Sequence, residues 1–257
     1  MLRHTSQIKG YAIGASDGPI GSIADLLFDD QTWRVRWLVV DIGHILPGRQ
    51  VLLPPSALGA ISHIARQFSV RLTVEEVRNA PDIATDAPVS RQMESDLYDY
   101  YGWSPYWTSG FYMGGYGYGG ALMGAPWTAG SPGPRHKEAD GALGDAHLRS
   151  VNAITGYHLH ARDGEIGHVA DVLVEDGDWT VHYLVADTRN WWPGQKVLVS
   201  PRSVERVSWT DRLVDLSITR QQVRESPAYD PTATVDRAYE NRFHDYYGHL
   251  PRAEPVN

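Results

Sequence analysis

The sequence predicts a mainly β protein: two small β-barrels, each followed by short helices, joined by a Gly- and aromatic-rich linker. Three observations carry this. The first is an internal repeat at a constant offset of 146 residues, gapless from Ile8/Ile154 to Gly102/Gly248, with roughly 36 identities. A repeat of that length is a duplicated domain, since solenoid periods run ~20–50 residues. The second is strand-period alternation in each copy, with Val35, Trp37 and Val39 in the first and Val181, Tyr183 and Val185 in the second. The third is the low-complexity run Gly110–Gly120 between them, rich in glycine and aromatics and lacking aliphatic periodicity. The division that follows is 1–102, 103–149 (linker) and 150–257.

Within the first copy, Ile8–Ile13 reads as a short strand and Asp17-Gly18 as a turn. Ile20–Phe28 reads as a longer strand whose Gly21, like Gly167, signals a bulge or bend. Small barrels need such bends to close. Asp29–Thr32 and Glu175–Asp178 are polar turns, and Arg34–Asp41 is the next strand. An eight-residue connection ending in Pro-Gly leads to Val51–Leu53 or Val197–Val199, ended by Pro55 and Pro201. Two more strands fall at Ala60–Ile64 and Phe68–Leu72, matched by Arg206–Trp209 and Leu213–Ile218. Thr73–Glu76 and Thr219–Gln222 then carry capping-box patterns. A second helix starts from Ser90 or Asp236 as N-cap and ends at Gly102 or Gly248, where a left-handed C-cap is expected.

Composition narrows the classes. There is no cysteine, which excludes disulfides, thiolate metal sites and thiol nucleophiles. The net charge of −8 is spread over the two copies, with 9 Lys/Arg against 12 Asp/Glu in residues 1–102 and 11 against 16 in residues 150–257. Such a surface repels phosphate backbones, so no nucleic-acid partner is expected. Met1–Ser6 lacks the apolar core of a signal peptide, and no apolar run reaches the ~18–20 residues of a membrane span. The expectation is a cytoplasmic protein with no integral membrane segment.

In order, Gly-x-Ile-Gly-x-(Ile/Val)-Ala-Asp, an acidic turn, a Trp-led strand ending in Leu-Val-(Val/Ala)-Asp, and Pro-Gly-x-x-Val-Leu each occur twice. This pattern resembles the PRC-barrel family, named for the cytoplasmic domain of the photosynthetic reaction centre H subunit. The family also supplies the C-terminal domain of a ribosome maturation factor. The resemblance covers about residues 6–80 and 152–226, plus helical tails. The second copy, with its Trp191-Trp192-Pro193-Gly194 loop, is most similar to stand-alone bacterial members. What the resemblance implies is a small, highly curved barrel used as a docking surface, with no catalytic site and no cofactor. The H subunit's membrane helix and the maturation factor's separate N-terminal barrel have no counterpart here, so neither specialised function carries over.

The candidate interaction residues are aromatic or apolar and recur at matching positions. Trp191 and Trp192 are adjacent on one connection, so both cannot point into one core. Two readings stand: a partner site, or packing on the C-terminal helix or the other copy. Ile45 and Leu46 occupy the equivalent positions, which makes this loop a candidate junction between copies packed about a pseudo-twofold axis. Tyr100-Tyr101 and Tyr246-Tyr247 suit either an interface or the anchoring of a helix end. His158 and His160 share a strand face at a spacing zinc could use, but no further ligand is evident, so no metal is expected. Asp25/Asp171 and Asp41/Asp187 recur, and strand-end aspartates accept backbone N–H bonds more readily than they do acid–base work. No nucleophile–base motif and no phosphate loop is present. The reading is a non-enzymatic protein–protein interaction or scaffold module whose partner the sequence does not name. The alternatives are a cytoplasmic-face accessory of a photosynthetic or electron-transfer complex, peripheral at the inner membrane, and, more weakly, a ribosome- or RNA-associated factor.

Overall fold

The computed structural model describes residues 1–43, 45, 48–81, 91–103, 147–188, 195–233 and 235–248. They belong to two compact units, one of Met1–Ile83 with His147–Asn257 and one of Ala84–Ala146. The first unit holds a front segment, residues 1–81, and a back segment, residues 147–248.

The front segment runs β1 (Leu2–His4), α1 (Thr5–Ile8), β2 (Ala12–Gly14), β3 (Pro19–Asp29), β4 (Val35–Asp41) and β5 (Gln50–Leu53). A 3-10 turn at Pro55–Ala57 leads to β6 (Leu58–Ser62), β7 (Gln67–Val70) and α2 (Val74–Arg78). The other unit contributes α3 (Arg91–Tyr101). The back segment repeats the order as β8 (Leu148–Ser150), α4 (Val151–Ile154), β9 (His158–Ala161), β10 (Gly164–Glu175), β11 (Val181–Asp187) and β12 (Lys196–Val199). A 3-10 turn at Pro201–Ser203, β13 (Val204–Ser208), β14 (Leu213–Leu216), α5 (Arg220–Arg224) and α6 (Arg237–Tyr247) complete it.

Two seven-stranded sheets result. One is ordered β5-β4-β3-β2-β7-β6, the other β12-β11-β10-β9-β14-β13, and each takes one further strand on its long central member. Pairings are antiparallel except β2 with β7 and β9 with β14. Among the described residues no ladder joins β5 to β6 or β12 to β13, so each sheet is an open path of strands.

Along β3, Ile20, Ile23, Leu26 and Phe28 are fully buried, as are Trp37, Leu38 and Leu52 on the neighbouring strands. Ile166, Val169, Val172 and Leu184 do the same in the back segment. The face switches at register shifts, at Ile23/Asp25 in one sheet and Val169/Asp171 in the other, which turn an aspartate out of line. The bulge expected at Gly21 and Gly167 is present, since the β2–β3 and β9–β10 ladders skip Ile20 and Ile166. The glycine itself answers to a close approach: a Cβ there would lie 1.9 Å from the Asp41 carbonyl oxygen, or 2.0 Å from that of Asp187.

Both capping boxes form, Thr73 with Glu76 and Thr219 with Gln222. Asp236 caps α6 by accepting the Tyr239 N–H, and Gly248 closes it at φ 66°. Ser90, the matching N-cap candidate, lies outside the described residues, while Gly102 takes φ 67°. Three expectations are corrected. Ile8–Ile13 is not one strand: α1 ends at Ile8 and β2 begins at Ala12. Pro55 and Pro201 open 3-10 turns, where a missing N–H costs nothing, and β6 and β13 start two residues earlier than expected. Leu148 and Arg149, assigned to the linker, are part of strand β8.

Candidate interaction surface

The two sheets are joined by an exchange of short arms. Strand β1 of the front segment pairs with β10 of the back, as Leu2↔Glu175, Arg3↔Val174 and His4↔Leu173. Strand β8 of the back segment pairs with β3 of the front, as Leu148↔Asp29, Arg149↔Phe28 and Ser150↔Leu27. Each arm satisfies backbone groups that a sheet flank would otherwise leave open.

An aspartate on each sheet anchors the arriving arm. Asp171 Oδ1 accepts from Thr5 Oγ1 at 2.8 Å, and Oδ2 contacts Ser6 Oγ at 2.5 Å and His4 Nδ1 at 2.8 Å. The far nitrogen of His4 meets the Tyr229 hydroxyl at 2.7 Å, forming a Tyr229–His4–Asp171 chain. Asp25 accepts from Ser150 Oγ and from Asn152 N at 3.0 Å. Each aspartate also takes the N–H of the residue after it, Leu26 or Val172, at 2.8 Å. The structural role expected for these carboxylates is the one they perform, with the arms as partners the sequence did not reveal.

Their carboxyl pKa values are displaced in opposite directions. Burial pushes the Asp25 carboxyl up, and the bonds from Ser150, Leu26 and Asn152 offset this only in part. Burial acts on Asp171 in the same direction, but hydrogen bonds from His4, Ser6, Thr5 and Val172 outweigh it and hold the carboxyl at about 2. Burial also raises the Tyr229 hydroxyl to about 12, helped by the Asp171 charge.

A second tier of charge reinforces the arms. Asp30 takes Arg149 Nε and His147 Nδ1, the latter at 3.0 Å. Its counterpart Asp176 takes Arg3 Nε at 3.5 Å and His63 Nε2 at 3.2 Å. Between the arms the hairpin turns meet. Arg34 and Thr180 form an antiparallel bridge, flanked by Val35 N→Trp179 O at 2.8 Å and Val181 N→Trp33 O at 2.7 Å. Trp33 and Trp179 hold left-handed backbone, φ 56° and 58°, which lets each turn present its carbonyl to the other. The Trp179 ring packs on Phe68 of the front segment at 5.8 Å, whereas Trp33 stacks on Phe28 of its own segment at 5.4 Å.

Clefts flank this junction. One of about 580 Å³ lies between the Asp30–Trp33 turn and a wall of Tyr183, His182, Glu240 and His244. One of about 340 Å³ lies between Trp179 with Asp176 and the Pro55–Ile61 stretch. In the larger, His182 Nδ1 is 3.7 Å from Glu240 and Tyr183 OH is 3.5 Å from His244 Nε2. His182 stands where the front segment has Arg36, whose guanidinium pairs with buried Asp29.

Trp191, Trp192 and Leu46 lie outside the described residues. Ile45 is half-buried and its N–H bonds Ile42 O at 2.8 Å, within its own segment. Tyr246 and Tyr247 both reach Gln222 O, at 2.9 and 3.4 Å, which ties the end of α6 to α5. Tyr247 and Leu2 both pack against a buried cluster that includes Phe243, Tyr239, Tyr183 and Leu198, so the front arm shares this core. Tyr246 remains partly exposed. In the other unit, Tyr100 is exposed and packs edge-on to Tyr101 at 4.9 Å, and Tyr101 stacks on Trp103 at 4.3 Å. His158 pairs with Glu165 at 2.8 Å and His160 lies 3.9 Å from Asp215, so the two imidazoles serve different carboxylates. Asp41 accepts Gly43 N at 2.7 Å as a turn cap, and Asp187 is buried.

Among the described residues no group of three or more His, Asp and Glu is placed to hold a metal, and no helix is long and apolar enough to cross a membrane. The arms lie outside the repeat that begins at Ile8 and Ile154. The signal was available, since Leu2-Arg3 recurs as Leu148-Arg149 at the same 146-residue offset. Set against known proteins, the chain matches no family model and no curated sequence.

Proposed function

We propose that this chain is a non-enzymatic protein–protein interaction module of two PRC-barrel-like copies docked as a pseudo-dimer. The observation that carries it is the reciprocity of the junction. Leu2–His4 crosses one way and Leu148–Ser150 the other, onto equivalent strands. Proteins spend backbone pairing and buried carboxylates in this manner on macromolecular recognition, through strand addition and polar anchoring. The described residues offer no matching convergence of nucleophile, base and oxyanion donor. The family resemblance in the sequence, a barrel used for docking, points the same way.

The partner-facing groups proposed in this reading are Trp191 and Trp192, on the sequence argument, and the exposed Tyr100 and Tyr246. Affinity capture from the native cell, comparing the parent with the Trp191→Ala/Trp192→Ala variant, tests it. Loss of specific partners with an unchanged thermal midpoint is the expected result. Retention of every partner by the variant, or turnover of a metabolite by the purified chain, removes the reading.

A further inference from the structure

We infer that strand β1 is a pH-sensitive strap on β10, fastened by imidazole charge and loosened when that charge is lost. The inference needs no partner and stands apart from the interaction reading, resting on contacts within the chain.

Three imidazoles reach a carboxylate of the other segment: His4 to Asp171 at 2.8 Å, His63 to Asp176 at 3.2 Å and His147 to Asp30 at 3.0 Å. Histidine is the side chain whose charge ordinarily changes between about pH 5 and 8. Two of these pairs hold β1. Asp171 receives His4 at the end of the strand, and Asp176 receives His63 beside Arg3 of the same strand. The inner anchor of the other arm, Ser150 on Asp25, contains no imidazole. The device is therefore built chiefly on one arm.

Both acceptors behind β1 keep their charge across that interval. Asp171 is held at about 2 by the hydrogen bonds described above. Burial raises Asp176, but the Met1 ammonium and Arg3 outweigh it and hold the carboxyl below the usual range. The imidazole is thus the member of each pair that titrates. Behind His4 lies the Tyr229 hydroxyl at 2.7 Å, which burial keeps protonated, with Asp230 beyond it. Behind His63 lies the Tyr11 hydroxyl at 3.4 Å, with Arg66 over the Tyr11 ring. The remaining charges at Asp176 are Arg3, at 3.5 Å, and the Met1 ammonium, at 2.6 Å, which Glu175 shares.

Docking gives each imidazole a carboxylate, which favours its charged form. The hold is complete below the imidazole's range and is lost as pH rises through it. A neutral His4 still donates from Nδ1 to Asp171 and accepts from Tyr229 at Nε2. What goes is the charge assistance, which about doubles the strength of such a bond. As β1 lifts, the flank of β10 at Leu173–Glu175 is uncovered and Leu2 leaves the cluster around Phe243.

Amide hydrogen exchange on the full chain tests this, read residue by residue by nuclear magnetic resonance at about pH 5.5 and about pH 7, below the range in which an α-ammonium ordinarily titrates. With rates divided by their intrinsic values, protection of the β1 amides should fall about fivefold between the two, relative to the β4 amides. In His4→Gln/His63→Gln, which keeps polar side chains without the charge, β1 should show the same protection at both. β1 protection that follows β4 in the parent overturns the strap, and so does a variant that keeps the parent's fall. The parent comparison decides by itself should the double variant fail to fold.

Discussion

Arg34 and Thr180 face each other across an antiparallel bridge although 146 residues separate them, the same interval that separates each element of the front segment from its counterpart. The arms, the Asp30 and Asp176 clusters and the tryptophan turns likewise each occur once in either segment.

The Tyr229–His4–Asp171 chain links both segments and should behave as one unit. His4→Ala removes a partner from Asp171 and from Tyr229, and should cost about 1–3 kcal/mol. Tyr229→Phe should cost about 1 kcal/mol. In a double-mutant cycle by urea denaturation, the two should be non-additive by about 1 kcal/mol. Strict additivity would show that the two contacts are independent.

Acid should weaken the Asp171 anchor and favour the Asp25 one. The folded-state value of Asp171, about 2, lies below its ordinary 3.8, so its stabilisation is present above about pH 4 and lost as pH falls toward 2. It amounts to about 2 kcal/mol. Asp25 is raised, so the stability it contributes is present below its ordinary range and lost as pH rises through its folded value. Asp171→Asn should therefore lower the midpoint at pH 7 more than Asp25→Asn, and the gap should narrow as pH falls below about 4. Thermal midpoints from pH 3 to 7 check this.

Two glycines should respond differently to alanine. Gly21→Ala drives a methyl to 1.9 Å from the Asp41 carbonyl and should cost several kcal/mol, or prevent folding, because backbone must move. Gly248→Ala meets nothing within 4 Å and carries only the left-handed penalty at φ 66°, about 1 kcal/mol. Comparing soluble yield and denaturation midpoints of the two separates close approach from conformation.

Phe243 is 1 % exposed and packs edge-on to Tyr183 at 5.0 Å. Phe243→Ala should cost about 3–5 kcal/mol and release α6 to limited proteolysis. Tyr246→Phe loses one hydrogen bond to Gln222 O and should cost at most about 1 kcal/mol. Equal protease sensitivity of the two variants would contradict this assignment of the anchor.

What could be read from the sequence was local or periodic. Alternation located β4 and its counterpart β11 to within a residue, because burial on one face imposes period two on the residues themselves. Thr73, Thr219 and Asp236 were legible as caps because a helix start needs a short polar side chain at one position. The tyrosine pair at Tyr246-Tyr247 was legible only as an interface or a helix-end anchor, because the Gln222 carbonyl that both hydroxyls reach lies on another helix.

The sequence by itself determined the duplication, the order of elements and the recurrent aspartates, since each leaves its mark within a few residues of chain. Only the tertiary structure decided which sheet each arm joins. A three-residue strand has no preference of its own, and its place depends on an unpaired flank and a carboxylate that lie, for Leu2–Ser6, some 170 positions along the chain. The opposite pKa displacements of Asp25 and Asp171 are likewise tertiary, because they turn on burial and on what each arm brings: Ser150 to one, His4 with Tyr229 behind it to the other.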